Sequence, residues 1–209
     1  MSVIQKEEIT CKCGERFEAE VVQSVSATED PQLKDLLLAG ELNVVKCPSC
    51  FTILYAERFV LYHDSSSELL AFVHPCSRES DRTALEKEMA STFITIQEGL
   101  DQDEKFSYQP ILVFGLDTLC DFITAEEDLE DEVQVADALC RSLGLKEKRL
   151  ARDAARRKGV PPIIPVDPKE TDQRAALLKG LEKVLAANDR LEHYKGLRDK
   201  VVSDPAWTI

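Results

Sequence analysis

A chain of 209 residues with 44% hydrophobic content can bury a core without help, as one domain of ordinary size or two small ones. Its net charge of -13 argues against non-specific binding to nucleic acid, whose phosphates it repels. The longest apolar runs, at 36–39 and 111–114, fall far short of the roughly 20 residues a membrane helix needs, so no membrane insertion is expected.

The charge is unevenly spread. Residues 1–145 hold 11 Lys and Arg against 29 Asp and Glu, whereas 146–209 hold 15 against 10. No apolar stretch follows a basic start at the N-terminus, so no secretion leader is expected. The 7 cysteines are an odd number, with four in two close pairs and Cys76, Cys120 and Cys140 scattered among apolar residues. That distribution fits a reducing cytoplasm better than a disulfide framework.

In chain order, 8–24 reads as a strand, a cysteine turn and a second strand, with Phe17, Ala19 and Val21 alternating with Glu18 and Glu20. Asp30 and Pro31 supply a helix start and Gly40 a stop, which predicts a short helix between the cysteine pairs. Runs at 51–62 and 69–73, separated by the polar turn Asp64–Ser67, complete an expected small antiparallel sheet.

Thr83 and Glu86 form a capping-box pattern ahead of Leu85, Met89, Phe93 and Ile96, predicting a helix that ends near Gly99. A strand is expected at 111–114, then a short helix over 115–123. Thr124 and Glu127 predict the start of a separate helix carrying Leu129, Val133, Ala136, Cys140 and Leu143.

Beyond Gly144, seven of the thirteen residues 146–158 are basic, and the proline-broken run 159–168 that follows cannot hold a helix. Residues 171–202 read as one long amphipathic helix with Leu177, Leu181, Val184, Leu191, Leu197 and Val201 on its stripe. Asn188 interrupts that stripe, and 204–209 form a separate tail.

The strongest chemical signal is the set Cys11, Cys13, Cys47 and Cys50. Two tight turns, Cys-Lys-Cys-Gly at 11–14 and Cys-Pro-Ser-Cys at 47–50, can bring four thiolates to one structural zinc ion, with iron as the lesser alternative. Pro48 fixes the second turn, and Gly14 permits the positive φ that such turns favour.

At these residues the sequence resembles the bacterial and archaeal CpXC domain. The resemblance covers Cys-x-Cys-Gly at 11–14, the segment Pro31 to Asn43, Cys-Pro-x-Cys at 47–50 and Leu61-Tyr62-His63-Asp64, with weaker likeness through Phe114 to Ile123. It implies metal binding and no particular reaction. Phe51 departs from the glycine usual in the family after the second pair.

Among other candidates, His63 and Asp64 offer a proton-transfer pair, and His74-Pro75-Cys76 a nucleophile with its base, but neither has a third group or oxyanion donor near it in sequence. Cys76, Cys120 and Cys140 read as small apolar packing residues. The acidic run 126–132 reads as a favourable first turn of a helix, and 146–158 as a solvated segment that balances the acidic body.

The resulting expectation is an α+β fold: a zinc-ribbon-like antiparallel sheet with covering helices, plus a C-terminal amphipathic helix. The expected organisation is a zinc-binding domain at 1–145, a basic then proline-rich linker at 146–170, and a helical interaction segment at 171–209. The expected function is a non-enzymatic, zinc-stabilised adaptor or regulatory module in the cytoplasm that meets protein partners, or a second copy, through the C-terminal helix. The alternatives are a metal-containing enzyme using His63 and Asp64, and a nucleic-acid-binding zinc ribbon using 146–158.

Overall fold

The computed structural model describes residues 2–103, 105–204 and 207. The chain forms two compact units, 1–122 and 123–209.

The first unit is built on β1 (Val3–Thr10), β2 (Arg16–Ser26), β5 (Val60–Asp64), β6 (Leu69–His74) and β7 (Ile111–Phe114), in the sheet order β1-β2-β5-β6-β7. Between β2 and β5 lie α1 (Pro31–Leu38) and a two-stranded hairpin of β3 (Val44–Lys46) and β4 (Ile53–Tyr55). A 3-10 turn (Cys76–Asp81) and α2 (Arg82–Gly99) join β6 to β7.

The fold class is the expected α+β, but the main sheet is mixed rather than wholly antiparallel. The β2–β5 and β6–β7 pairs are parallel, because each is joined by a long crossover containing a helix and not by a tight turn. Strand β6 sits second from one edge, and Leu69 to Val73 are all buried, as a strand covered on both faces requires. On one side Leu70 and Phe72 join Phe93 of α2 and Tyr108. On the other side of the unit, Ile9 and Val21 of the β1–β2 hairpin pack on Val45 of β3, with Phe17, Ala19 and Leu54 around them.

Three local expectations are corrected. Helix α2 starts one residue before Thr83, with Asp81 at its N-cap and no side-chain cap bond, so the Thr83 box is not made. Helix α3 (Leu116–Leu143) runs unbroken through Thr124, since neither glycine nor proline interrupts Leu116–Leu143 and a polar threonine alone does not stop a helix. The acidic run 126–132 therefore lies well inside a helix and not at its first turn.

The second unit takes α3 from Ile123 onward and adds β8 (Lys146–Arg149), α4 (Arg152–Lys158), β9 (Ile163–Val166), α5 (Gln173–Ala187) and α6 (Glu192–Ser203). The stretch expected as a linker at 146–170 is thus structured. Strands β8 and β9 pair antiparallel, and Ala155, Val160 and Ile164 enter a core with Leu177, Leu181, Leu197 and Val201. Pro165 is accommodated because a two-stranded ladder has only edges. The boundary expected near 145 falls instead at 122/123, since Ala136 and Cys140 of α3 belong to this same core.

The helix expected over 171–202 is two helices. Asn188 is the C-cap of α5, with its amide bonded to Val184 O, and its side chain accepts from the Arg190 amide, which turns the chain toward α6. The apolar stripe meant for a partner is covered inside the unit: Leu181, Val184 and Val201 are fully buried, and the hydroxyl of Tyr194 donates to Ile163 O at 2.9 Å. Of the tail 204–209, Pro205, Ala206, Thr208 and Ile209 lie outside the described residues, while Trp207 is partly buried against this core.

Candidate metal centre

Two hairpin turns present the four paired cysteines in the same way. In the β1–β2 turn, the Cys11 amide donates to Glu15 O at 2.8 Å, and the Gly14 amide donates to Cys11 O at 2.9 Å. In the β3–β4 turn, the Cys47 amide donates to Thr52 O at 2.9 Å, and the Phe51 amide donates to Cys47 O at 3.0 Å. In each turn the residue after the second cysteine has positive φ, +93° at Gly14 and +60° at Phe51. Glycine adopts that region freely, whereas a phenylalanine there costs about 1–2 kcal/mol. The Lys46 ammonium lies 5.1 Å from the centre of the Phe51 ring, a cation–π contact that offsets part of this cost.

The apolar contact between the hairpins sets the two turns facing each other, and all four sulfurs lie within 4.8 Å of one another. Cys11 Sγ is 3.6 Å from Cys50 Sγ, and Cys13 Sγ is 3.8 Å from Cys47 Sγ. A tetrahedron of thiolates around an ion with bonds of about 2.3 Å has edges of about 3.8 Å, so the donor set fits a four-coordinate metal. Cys11 and Cys47 are buried, while Cys13 and Cys50 face solvent.

The electrostatics of the thiols point the same way. Thr52, through its hydroxyl 3.2 Å away and its backbone amide, holds the Cys50 thiol down at about 6. For Cys11, the Cys13 amide favours the thiolate, but burial and the neighbouring sulfurs outweigh it and push the thiol up to about 12. One thiolate therefore forms readily, and full ionisation of four sulfurs in mutual contact calls for a cation among them.

The remaining candidates separate. His63 and Asp64 are neighbours on β5 and project to opposite faces of the sheet. His63 Nε2 lies 2.7 Å from the Tyr108 hydroxyl, and burial lowers the imidazole pKa. Asp64 Oδ1 accepts from the Ser66 amide at 3.0 Å and from the Ser66 hydroxyl at 2.5 Å, and Oδ2 lies 3.5 Å from Lys34 Nζ. Burial alone would raise this carboxyl, but those partners hold it below the usual range. The two residues are a ring contact and a turn lock, not a dyad.

His74 sits among Phe59 and Phe114, with ring centres 4.9 and 6.5 Å away. Together with Cys76 it lines a cavity of about 280 Å³ at the carboxyl ends of β6 and β7, where α3 begins. Gly115, at φ +84°, lets the Cys76 sulfur lie against the backbone there, since a Cβ at 115 would come within 2.5 Å of it. This cavity, with Tyr55, Glu57 and Asp117 also on its wall, is a feature that the sequence reading missed; its residues are scattered from 40 to 117 and share no spacing.

Cys120 donates to Leu37 O at 3.1 Å, and Cys140 is fully buried, its thiol pushed up to about 11 by that burial. Both are packing thiols. The basic and acidic runs neutralise each other: Arg156 pairs with Glu126 at 2.8 Å, Arg152 with Glu130 at 2.5 Å and Arg149 with Asp137 at 2.8 Å. Glu132 instead caps α6, accepting from the amides of Glu192 and His193, each at 2.9 Å.

The fold and site define an α+β protein with a pair of facing cysteine turns able to hold one metal ion. The sequence profile of the CpXC protein family matches residues 9–136, and the chain belongs to that family. No curated protein and no solved structure gives a match. Among the described residues, no helix is long and apolar enough to cross a membrane.

Proposed function

We propose that this protein is a non-enzymatic, zinc-stabilised interaction module of the cytoplasm, an adaptor or regulator and not a catalyst. The observation that carries the reading is the closure of the cysteine site. Four sulfurs within 4.8 Å of one another supply a full tetrahedral shell and leave no position for a substrate or an activated water. Cys11, Cys13, Cys47 and Cys50 would hold the ion, and bound zinc would act as a cross-link between two hairpins that share only a small apolar contact. A reducing compartment keeps the four thiols available for that role.

The two rival readings have less support. The His63 and Asp64 side chains point to opposite faces of β5, so the enzyme reading loses its acid–base pair. Ion pairs engage Arg149, Arg152, Arg156 and Arg157, so the nucleic-acid reading loses most of its phosphate contacts. With the stripe of α5 and α6 covered, the module would offer partners the surface that the metal organises rather than the C-terminal helices.

Affinity purification of the full chain from its native cells, beside the Cys47→Ser/Cys50→Ser variant, tests this reading. Partners retained by the parent protein should be lost with the metal. A metal-free variant that keeps every partner would show that the site does not shape the contact surface.

A further inference from the structure

Side chains alternate across the β3–β4 hairpin. Val45 and Leu54 face inward onto Ile9 and Val21. Val44, Lys46, Ile53 and Tyr55 face outward, with Ile53 70% exposed, and Phe51 at the tip is 65% exposed with the Lys46 ammonium over its ring. A face of four apolar side chains and one lysine on a two-stranded sheet, in a chain of net charge -13, calls for an occupant.

Tyr55 belongs to two surfaces. It ends the outer row of the hairpin and also lines the cavity of about 280 Å³ described above. The Arg58 guanidinium on that wall is engaged by Glu7 at 2.6 Å. The carboxylates of Glu57 and Asp117 make no ion pair among the described residues. Their charge is felt at Tyr55, whose hydroxyl is pushed up to about 12 by burial first and then by Asp117. The outer row thus leads into a hollow whose wall carries two acidic residues that no ion pair among the described residues engages, beside an aromatic ring.

We infer that this face and cavity together receive an extended basic segment of a partner protein. Apolar residues of the segment would lie on Val44, Ile53 and Tyr55, and one lysine or arginine side chain would enter between Glu57 and Asp117. The inference rests on the interaction-module reading and names the partner's chemistry. The aliphatic stem of such a side chain can cover the Tyr55 ring while its head meets the carboxylates.

Charge complementarity selects this occupant over a second copy. The first unit carries 10 basic against 22 acidic residues and the second 16 against 17, so neither is positive as a whole, and in the one strongly basic stretch, 146–158, Arg149, Arg152, Arg156 and Arg157 are already held in ion pairs within the second unit. Size selects a segment over a folded domain, because a face of five side chains falls well short of the roughly 800 Å² per partner typical of stable interfaces between folded proteins.

The test is selection of a random nonapeptide library displayed on phage against the immobilised, zinc-loaded full chain. Recovered sequences should carry lysine or arginine among apolar residues. Ile53→Ser and Glu57→Gln/Asp117→Asn should each cut recovery at least ten-fold, with zinc content and circular dichroism unchanged. Recovery of acidic or uncharged peptides, recovery that both variants share equally, or no enrichment at all would overturn the inference. Loss of native partners with the metal alongside such a result would leave the module reading standing and condemn only the basic-segment assignment.

Discussion

The side chain of Asn43 stands in for a strand beside Val22. Its Oδ1 accepts from the Val22 amide at 2.7 Å, and its Nδ2 donates to Val22 O at 3.0 Å, so one carboxamide completes the ladder that β2 would otherwise leave open. Asn43 is buried and has a φ of +60°, a conformation that asparagine tolerates better than most residues. It therefore fixes the hairpin carrying Cys47 and Cys50 to the strand that follows Cys11 and Cys13.

Replacing Asn43 by alanine strands a buried donor and a buried acceptor on Val22, at a cost of about 3 kcal/mol. Chemical denaturation should show that loss, and zinc affinity should fall with it. Asn43→Gly relieves the backbone yet restores neither bond, so it should be nearly as unstable; a stable glycine variant would mean that the bonds matter little.

Two helical glycines should respond to alanine with opposite signs. A Cβ on Gly180 of α5 would come within 2.4 Å of Pro165 O on β9, so Gly180→Ala should destabilise by about 1–3 kcal/mol despite its better helix propensity. Around Gly196 of α6 nothing lies within 4 Å, and Gly196→Ala should stabilise by about 0.5–1 kcal/mol. Thermal denaturation of both variants checks the pair, and a shared sign would contradict the packing of α5 on β9.

Stability should fall as pH drops below about 6.5, the unfolded histidine value. Burial lowers the pKa of His63 and of His74 in the folded state, so the unfolded chain binds more protons across the window from about 6.5 down to the folded values. The stabilisation is complete above that window and is lost on falling through it. Asp64, also lowered, adds a second loss below about 3.8. Acid also strips a metal from thiolates, so the informative comparison is with His63→Gln/His74→Gln, whose denaturation midpoint should vary less between pH 7.5 and 5.5. An unchanged slope would remove the histidines from the account.

Signals that act over a few residues were legible in the sequence. Pro31 and Gly40 bracket α1, and the alternation after Phe17 marks β2. The two cysteine turns are read from their own spacing, and the positive φ at Phe51 explains why a glycine is usual there. Long-range contacts were not legible. The start of α6 is capped by Glu132, sixty residues away, and no local pattern announces that. The parallel pairings of β2 with β5 and of β6 with β7 depend on crossovers that a strand pattern does not specify. The segment 146–170 looked like a linker because its prolines forbid a helix, yet Ile163 and Ile164 needed only a short edge strand to reach a core.

The most direct measurement is elemental analysis of the freshly purified, reduced protein, together with its Cys47→Ser/Cys50→Ser variant. One zinc per chain is expected in the parent and none in the variant, with a marked loss of thermal stability on chelation. A parent protein that folds to the same stability with no stoichiometric metal would contradict this.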